Sequence, residues 1–254
     1  MKMHFTKMQG LGNDYLYFYG EAPGDAAGLS RRLSDRHFGP GADGLIFIAP
    51  AQDADFSMRI FNADGSEARM CGNGIRCVGK YVYDKGHTHK RELVIATGAG
   101  PRRLRLACEG GKVVSVAVDM GRALVRSGTD GDFVDMGNPH LVHFVPDAEA
   151  APLLTEGPRL SGSVPDGVNV EFVSQLGPAC LRMRVWERGS GVTLACGTGA
   201  CAAAAAAVRR GLCPPEQPIE LRLDGGVLRV TVSAEGQVEM EGPAETVYEG
   251  EVEG

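Results

Sequence analysis

The chain has 254 residues, of which 43% are hydrophobic and 23% charged, an ordinary composition for a folded globular protein. Its formal net charge of −6 argues against the basic surface of nucleic-acid-binding proteins, so we expect no nucleic-acid partner. No apolar run approaches the ~20 residues of a transmembrane helix, and the first residues lack the apolar core of a signal peptide. We therefore expect a cytoplasmic protein with no membrane partner, whose seven cysteines are reduced.

Short apolar or alternating segments closed by Gly, Pro, Asp or Asn predict β-strands along most of the chain. They begin with "HFTKMQG", "YLYFYG", "GLIFIAP" and "FSMRIFNADG" and end with "IELRLDGGVLRVTVSAEGQVEMEG" and "ETVYEGEV". "EGGK" and "DGG" predict tight hairpin turns, because glycine reaches positive φ at little cost. Three segments predict helices, residues 25–38, 74–83 and 199–210, the last of which contains six consecutive alanines.

The order of predicted elements repeats in the two halves of the chain. Each half has several strands, a glycine-rich motif, a helix and then more strands. This order predicts an α+β (α/β) fold of two similar lobes, each a strongly curved, mostly antiparallel sheet around a central helix. We place the boundary near residues 118–122. The N-terminal lobe is then 1–118, to which a C-terminal strand at 243–254 can return, and the C-terminal lobe is 119–242.

Two cysteine motifs, Cys71-Gly-Asn-Gly and Cys196-Gly-Thr-Gly, occur once in each half, and each runs into a predicted helix. A loop that enters a helix presents the N–H groups of the first turn, which bind an anion such as a carboxylate. The positive end of the helix dipole also favours a thiolate, so we expect a depressed pKa for both thiols. Each motif therefore predicts an anion cradle beside an activated sulfur.

Four other interpretations of these cysteines compete. The spacings Cys71/Cys77 and Cys196/Cys201 are close to those of zinc ligands, but a zinc site does not need the glycines. Disulfides are disfavoured in the cytoplasm, and the segment "GIRCVGKY" lacks the Ser or Thr that a phosphate-binding loop requires. A buried structural role is common for a single cysteine. We prefer that structural role for Cys77, Cys108, Cys180, Cys201 and Cys213.

Cofactor motifs are missing from the sequence: no GxGxxG follows a predicted strand, HExxH does not occur, and no lysine has a setting that suggests a Schiff base. We therefore expect neither a cofactor nor a metal. Two thiols at one carboxylate site predict proton transfer at the carbon next to that carboxylate. One sulfur, as thiolate, would remove the α-proton from one face, and the other, as thiol, would protonate the opposite face. The carbon would be inverted.

Seven segments, spread nearly from end to end, resemble the diaminopimelate epimerase family: "KMQGLGNDY", "RHFGPGADGLI", "FNADGSEARMCGNGIRC", "VDMGNPHLV", "GVNVEFV", "WERGSGVTLACGTGACA" and "TVYEGEV". The resemblance implies two pseudo-symmetric lobes with the active site between them. It also implies an isomerase that epimerises LL-2,6-diaminopimelate to the meso form without pyridoxal phosphate. That reaction belongs to lysine and peptidoglycan-precursor biosynthesis.

The resemblance also implies roles for residues at matching positions of this chain. Cys71 and Cys196 correspond to the two acid/base thiols, and Glu187 is paired with His140 as a tuner of these cysteines, besides contacting a substrate ammonium group. The cradle for the reacting carboxylate corresponds to Gly72, Asn73, Gly197 and Thr198. The far end of the substrate would be held by Asn13, Asn62, Asn138, Asn169 and Arg188. Tyr248 corresponds to a residue of a homodimer interface.

Two alternatives to this function remain at the level of sequence. One is a racemase for another amino acid, of the glutamate, histidine or proline type, on the same scaffold. Proline racemase-type enzymes usually have Cys-Gly-His-Gly in the first motif, so Asn73 argues against them. The other is a noncatalytic amino-acid-binding module, for which the thiols would be unnecessary. In some members of the family a glutamine contacts substrate where this chain has Gly44, and we expect that contact to be absent.

Overall fold

The structure is a computed structural model in which residues 2–129 and 131–253 are described, and the chain divides into two units. The first unit comprises the residues up to Val118 together with those from Pro243 onward, and the second comprises Asp119–Gly242. No helix in the described ranges is long and apolar enough to cross a membrane.

The first unit is built on a mixed sheet in which most neighbouring strands are antiparallel. Its strands are β1 (Lys2–Gly10), β2 (Asn13–Tyr19), β3 (Gly44–Pro50), β4 (Phe56–Asn62), β5 (Glu67–Ala68), β6 (Glu92–Ala96), β7 (Arg102–Glu109), β8 (Lys112–Arg122) and β18 (Glu245–Glu253), of which β8 continues past Val118 into the second unit. Two neighbouring pairs, β2 with β3 and β4 with β6, are parallel. The other neighbouring pairs within the unit, including β18 with β1, are antiparallel.

Two helices pack on this sheet. Helix α1 (Ala26–Ser34) begins at Asp25, whose carboxylate caps the Gly28 N–H, and it covers a core of aromatic and aliphatic side chains from β1 to β4. Helix α2 (Gly72–Asp84) contacts β1, β2 and β7. Its residues Ile75, Val78 and Val82 are fully buried at the i, i+3, i+7 spacing of one helix face. The helices predicted at 25–38 and 74–83 are therefore confirmed, although α1 ends at Ser34, well before the predicted end at residue 38.

The second unit has the same kind of sheet. Its strands are β9 (Leu124–Ser127), β10 (Asp132–Asp135), β11 (Pro139–Phe144), β12 (Asn169–Gly177), β13 (Cys180–Glu187), β14 (Gly191–Val192), β15 (Pro218–Leu223), β16 (Gly226–Val232) and β17 (Gln237–Gly242). The pairs β11 with β12 and β13 with β15 are parallel, and the other neighbouring pairs within the unit are antiparallel.

The central helix of the second unit is α4 (Gly197–Arg209), which confirms the helix predicted at 199–210. All six consecutive alanines of this helix are buried, and strands on several sides contact it. A helix that is apolar all round is stable only when it is covered all round, and alanine allows strands to approach closely. Helix α3 (Leu153–Ser161) was not predicted, and it contains Pro158 in its interior.

The two units repeat one order of elements. In each unit an antiparallel pair is followed by a helix and a strand parallel to its predecessor. An antiparallel strand, a two-residue strand and the central helix come next. Three more strands complete the unit, and the first of them (β6 or β15) is parallel to the strand it pairs with, β4 or β13. Helix α3 is therefore the counterpart of α1, and α4 is the counterpart of α2. The predicted α+β class, with mostly antiparallel strands and one central helix in each half, is confirmed.

Candidate active site

The first cysteine motif forms the start of helix α2. Cys71 is the N-cap in an extended conformation, and its Sγ accepts a hydrogen bond from the Gly74 N–H at 3.3 Å. A sulfur that caps a helix lies against the orphan N–H groups of the first turn, where negative charge is stabilised. The sequence reaches this geometry because Gly72 and Gly74 flank Asn73 with no bulk in the turn.

The Cys71 thiol is surrounded by polar groups from β2. Its Sγ donates to Asn13 Oδ1 at 3.4 Å, and Asn13 Nδ2 in turn donates to Asp43 Oδ2 at 2.7 Å. Tyr15, two residues further along β2, is buried with its hydroxyl beside Asn13 and Cys71. Burial, followed by the neighbouring Cys71 and Asp43, raises the pKa of Tyr15 well above its usual value.

Gly72 and Asn73, which the sequence predicts as part of a carboxylate cradle, are hydrogen-bonded to a fully buried arginine, Arg76. Arg76 Nη1 donates to the Gly72 carbonyl at 3.1 Å and to Asn73 Oδ1 at 3.1 Å, and Arg76 Nε donates to the Pro243 carbonyl at 3.1 Å. The Asn73 side chain is thus engaged with the protein, and its contribution to a cradle is the backbone N–H. Sequence reasoning did not predict this role for Arg76.

Asn62 and Gly44 face each other across β3 and β4. Asn62 lies at the end of β4, where its Nδ2 donates to Ser66 Oγ at 3.0 Å. A Cβ at Gly44 would lie 2.2 Å from the Phe61 carbonyl oxygen and 2.9 Å from Tyr15 Cε1. No side chain fits at this position as the strands are placed.

The second motif repeats the first at the start of helix α4. Cys196 is the N-cap, and its Sγ accepts from the Gly199 N–H at 3.4 Å and lies 3.6 Å from Thr198 Oγ1. Only 5% of the Cys196 residue is exposed. Gly197, the first residue of the helix, is buried as well.

Two carboxylates lie near Cys196. The pKa of the Cys196 thiol is raised well above its usual value. Burial is the largest cause, and the nearby carboxylates Glu187 and then Glu171 act in the same direction. Burial also raises the pKa of Glu187, whose Oε1 accepts from the Thr193 hydroxyl. The prediction of a depressed pKa is therefore wrong for this thiol. The helix N-terminus favours the thiolate, but burial and two acidic neighbours outweigh it.

His140 is bound on both ring nitrogens. Its Nδ1 lies 2.6 Å from Glu171 Oε1, its Nε2 lies 3.2 Å from Asn138 Oδ1, and both His140 and Glu171 are fully buried. Asn138 Nδ2 donates onward to Thr198 Oγ1 at 3.3 Å. Glu171, on the adjacent parallel strand, occupies His140 Nδ1, a contact that the sequence did not predict, and the role of His140 and Glu187 as tuners of the cysteines stays a prediction. The sequence signal for Glu171 was a carboxylate inside the apolar strand "NVEFV".

Asn169 and Arg188 are linked through the backbone. Asn169 Oδ1 accepts from the Arg188 N–H at 2.9 Å, which fixes the start of the loop after β13. The Arg188 guanidinium donates from Nη1 to the Asp166 carbonyl at 2.8 Å and to the Gly167 carbonyl at 3.4 Å. Carbonyl oxygens satisfy part of the guanidinium, and a planar group with five donors keeps others for a ligand carboxylate.

The internal repeat brings these residues into register with one another. Asn13 opens β2 as Asn138 precedes β11, so the residues two positions further on, Tyr15 and His140, are counterparts. The strand pairings agree, because Leu16 is opposite Leu45 and His140 is opposite Asn169, which makes Gly44 the counterpart of Asn169.

The same register makes Ile46 the counterpart of Glu171. A Cβ at Gly74 would meet Ile46 Cδ1 at 2.8 Å, and a Cβ at Gly199 would meet Glu171 Oε1 at 2.7 Å. One thiol therefore has an aliphatic group beneath its helix turn, and the other has a carboxylate.

Tyr248 lies on the exposed strand β18. It is 40% exposed, its ring packs edge-on against Phe5, and its hydroxyl donates to the Pro40 carbonyl at 3.1 Å. Within residues 2–129 and 131–253, no group of three or more His, Cys, Asp or Glu side chains is arranged to hold a metal ion.

The fold places the chain in a class that includes solved structures of epimerases. A hydroxyproline epimerase from Agrobacterium vitis matches with a TM-score of 0.75 at 20% identity, over 99% of this chain and 92% of that one. A phenazine biosynthesis protein from Bacillus anthracis matches with a TM-score of 0.77 at 16% identity, over 100% of this chain and 99% of that one. At these identities the likeness shows the fold alone.

Sequence comparison identifies the family. The profile of the family described as diaminopimelate epimerase matches residues 5–125 and 133–247. A diaminopimelate epimerase of Bacteroides thetaiotaomicron is 50% identical over 266 residues, covering 100% of this chain and 99% of that protein. One from Methanococcus maripaludis is 44% identical over 280 residues, covering 99% of this chain and 100% of that protein. The chain belongs to the diaminopimelate epimerase family.

Proposed function

We propose that this chain epimerises LL-2,6-diaminopimelate to the meso form by cofactor-independent proton transfer at the α-carbon, in the cytoplasm, as a step of lysine and peptidoglycan-precursor biosynthesis. The observation that carries the proposal is the pair of helix-capping thiols, Cys71 and Cys196, in a chain that belongs to the diaminopimelate epimerase family. Each thiol stands beside the N–H groups that a substrate carboxylate would need.

In the proposed reaction the two sulfurs exchange one proton each with the substrate. Cys71, as thiolate, takes the α-proton, and the electron pair of the broken C–H bond passes into the adjacent carboxylate. The N–H groups at Gly72, Asn73, Gly197 and Thr198 stabilise the enolate-like charge as it develops. Cys196 then donates its S–H proton to the opposite face. After turnover Cys71 is a thiol and Cys196 a thiolate, which is the state required for the reverse direction.

The raised pKa of Cys196 supports its part as the initial acid. A thiol whose pKa is well above 9 is protonated at neutral pH and carries the proton that the second step consumes. Once the substrate carbanion forms nearby, Cys196 transfers that proton readily, because the product thiolate has Gly199 N–H and Thr198 Oγ1 within reach. Burial keeps water from supplying the proton instead.

Six further polar residues are proposed to hold the distal end of diaminopimelate. Arg188 can clamp the second carboxylate with two parallel hydrogen bonds, and Glu187 can accept from an ammonium group. Four asparagines supply neutral hydrogen-bond donors and acceptors around the carbon chain of the substrate: Asn13, Asn62, Asn138 and Asn169. This recognition favours a substrate with a polar group at each end over a short amino acid.

Deuterium wash-in tests the proposal directly. The enzyme is incubated in D₂O with LL-diaminopimelate, meso-diaminopimelate, glutamate, histidine, proline and alanine, and α-deuteration and inversion are followed by mass spectrometry and chiral chromatography. We expect exchange and inversion to be much faster with the diaminopimelates than with any of the other amino acids. Faster exchange with another amino acid would identify a racemase of a different substrate. Binding without any exchange would identify a noncatalytic module.

The thiol roles are tested by single substitutions. Cys71→Ala and Cys196→Ala should each lower epimerisation by about 10²–10⁴-fold, the contribution of proton transfer by a positioned group. Cys201→Ala is the matched control, because it removes a fully buried thiol from helix α4, the helix that Cys196 caps. It should leave the rate within about twofold. Near-normal inversion in either motif variant would contradict the two-base mechanism.

A homodimer is proposed as the working state. Strand β18 pairs with β1 on one side, and its residues Val247 and Tyr248 are exposed, at 54% and 40%. Phe38, in the loop next to Pro40, is 94% exposed. An apolar patch that is otherwise open to water favours burial against a second copy.

A further inference from the structure

Thr193 lies in the segment between Glu187 and Cys196, directly after β14, and no role was predicted for it from the sequence. Its hydroxyl donates to Glu187 Oε1. Burial is the largest cause of the raised pKa of Glu187, and the hydrogen bond from Thr193 acts in the opposite direction. A carboxylate that is withdrawn from water needs hydrogen-bond donors in order to stay ionised. The Thr193 hydroxyl therefore offsets part of the cost of burying a charge at this position.

The register of the hairpin places Thr193 within reach of Glu187. In the pairing of β13 with β14, Glu187 is opposite Gly191 and Trp186 is opposite Val192. Glycine has no side chain, so the position directly across from Glu187 offers the carboxylate nothing to bind. Side chains alternate along an extended segment, so Thr193, two residues after Gly191, is the next one on that face and a diagonal neighbour of Glu187. The hydrogen bond between the two side chains spans this diagonal.

The first unit has a hydroxyl in the same hairpin, one step nearer to the residue that it binds. Asn62 ends β4 as Glu187 ends β13. In the hairpin that follows β4, Ser66 lies across from Asn62, whose Nδ2 donates to Ser66 Oγ at 3.0 Å, and Ala68 is two residues further on. The hydroxyl is thus directly across from a short amide in one unit and on the diagonal from a longer glutamate in the other. Its place follows the length of the side chain that it binds, which supports a role for the bond itself.

We propose that Thr193 is a positioning residue, which holds Glu187 Oε1 through its hydroxyl and thereby leaves Oε2 oriented to accept a hydrogen bond from the substrate. The inference rests on the proposed function, in which Glu187 accepts from an ammonium group. A carboxylate that is already held at one oxygen loses less conformational freedom when a ligand binds to the other. Thr193 acts through Glu187, so removal of its hydroxyl should change the properties of Glu187 first.

Three other titratable groups act on Glu187, from three different elements. The Cys196 thiol at the start of α4 and His140 from β11 lower the pKa of Glu187, whereas Glu171 from β12 raises it. Among the contacts that lower this pKa, the hydrogen bond from Thr193 is the largest. The other groups stay in place when the hydroxyl is removed, so the titration of Glu187 reports the loss of that one bond.

The test is the titration of Glu187 in Thr193→Val, followed by NMR of protein labelled with ¹³Cδ-glutamate and assigned with Glu187→Gln. Valine keeps the shape of threonine and lacks the hydroxyl. We expect Glu187 to titrate at higher pH, with its protonated fraction at a given pH above the midpoint raised about tenfold, the effect of losing one hydrogen bond to a charged group. Thr193→Ser keeps the hydroxyl and should restore the wild-type titration. An unchanged or lowered midpoint in Thr193→Val would overturn the proposal, as would a serine variant that titrates like the valine variant.

The neighbouring residue provides the matched control. Val192 is 39% exposed, and its side chain belongs to the opposite face of the hairpin. Val192→Thr makes the reverse exchange of a methyl group for a hydroxyl next to Thr193, and Glu187 should titrate in this variant as in the wild type. A shift as large as that of Thr193→Val would show that the titration reports a general disturbance of the hairpin, and it would overturn the assignment to the hydroxyl.

Steady-state kinetics with LL-diaminopimelate test the consequence for the ligand. Because the bond positions a binding group, Thr193→Val should raise KM about fivefold and lower kcat by less than about twofold, and Thr193→Ser should restore KM. A loss confined to kcat would overturn the positioning role. The NMR titrations use no substrate, so a failure of the Thr193 assignment is distinguishable from a failure of the proposed epimerase activity.

A measurement on the protein with Thr193 intact covers the case in which Thr193→Val does not fold. In protein labelled with ¹³C-threonine, the Thr193 hydroxyl proton, assigned by its loss in Thr193→Ser, should exchange with water slowly enough to be observed at low temperature, because a carboxylate holds it. A Thr193 hydroxyl proton in free exchange with water would overturn the proposal.

Discussion

Replacement of Gly199 by alanine should destabilise the protein even though alanine is the better helix former. Gly199 is the third residue of α4, and an added Cβ would lie 2.7 Å from Glu171 Oε1, 3.2 Å from Cys196 Cβ and 3.3 Å from Cys196 Sγ. The counterpart in the first unit is Gly74, where a Cβ would meet Ile46 Cδ1 at 2.8 Å and Met58 Cε at 3.3 Å. Gly74→Ala is therefore the matched control, with flexible methyl groups in place of a carboxylate.

The magnitude follows from what must move. A Cβ contact of 2.7 Å displaces Glu171 Oε1, which is fully buried and bound to His140, and breaking a buried pair costs about 3–5 kcal/mol. Replacing a helical glycine by alanine recovers about 1 kcal/mol, so Gly199→Ala should lower the free energy of unfolding by about 2–4 kcal/mol. At Gly74 the methyl groups can rotate, and overpacking of about 1–3 kcal/mol minus the same recovery leaves about 0–2 kcal/mol.

Urea denaturation followed by circular dichroism measures both variants against the wild type. A cycle with Glu171→Ala isolates the cause, because the cost of Gly199→Ala should shrink to the level of Gly74→Ala once the carboxylate is gone. If Gly199→Ala were as stable as Gly74→Ala, or if its cost were unchanged without Glu171, the assignment of the clash to the carboxylate would be refuted.

Three further predictions concern recognition, pH and assembly. Arg188→Lys should raise KM for diaminopimelate by about tenfold or more, because lysine cannot make the bidentate clamp, while α-proton exchange of alanine, measured in D₂O, stays within about twofold. Burial raises the pKa of Cys77 from 9.0 to about 11, so between these pH values the native state keeps a proton that the unfolded chain releases. The free energy of unfolding should therefore fall by about 3 kcal/mol from pH 9 to pH 11. Denaturation curves of Cys77→Ala should show a smaller fall over the same pH range. Tyr248→Ala should shift sedimentation from dimer towards monomer, whereas an unchanged mass would contradict the interface role.

Helix α3 shows where reading the sequence locally fails. The segment Leu153–Ser161 contains Gly157 and Pro158, both unfavourable in a helix, and it was not predicted as one. Gly157 is required by packing, since a Cβ would lie 2.8 Å from the Trp186 side chain. Tertiary contact thus overrides propensity here. The internal repeat does predict a helix at this place, because α1 follows the first antiparallel pair of strands in the first unit as α3 does in the second.

Buried polar side chains are a second feature that the hydrophobic pattern of the sequence could not predict. The alternation of a half-buried strand would leave Glu171 on one face, yet every residue from Asn169 to Ser174 is buried, since both faces of β12 are covered. Arg76 has the same character, as a charged residue on the inner face of α2 that holds Gly72 and Asn73. Such residues are found only when the hydrogen-bond partners are known.

The two cysteine motifs look alike in sequence but differ in electrostatics, and the difference has a chemical consequence. Both thiols cap a helix, and a helix N-terminus by itself stabilises a thiolate by about 0.3–1 kcal/mol. That term is smaller than the combined effect of burial and two neighbouring carboxylates at Cys196, which raises the pKa of this thiol. At Cys71 the corresponding strand positions carry Tyr15 and Ile46, so an aliphatic side chain lies beneath the turn where the second unit has Glu171. A two-base epimerase needs one thiolate and one thiol at the same pH, and unequal surroundings of two equivalent caps are a direct way to divide those roles.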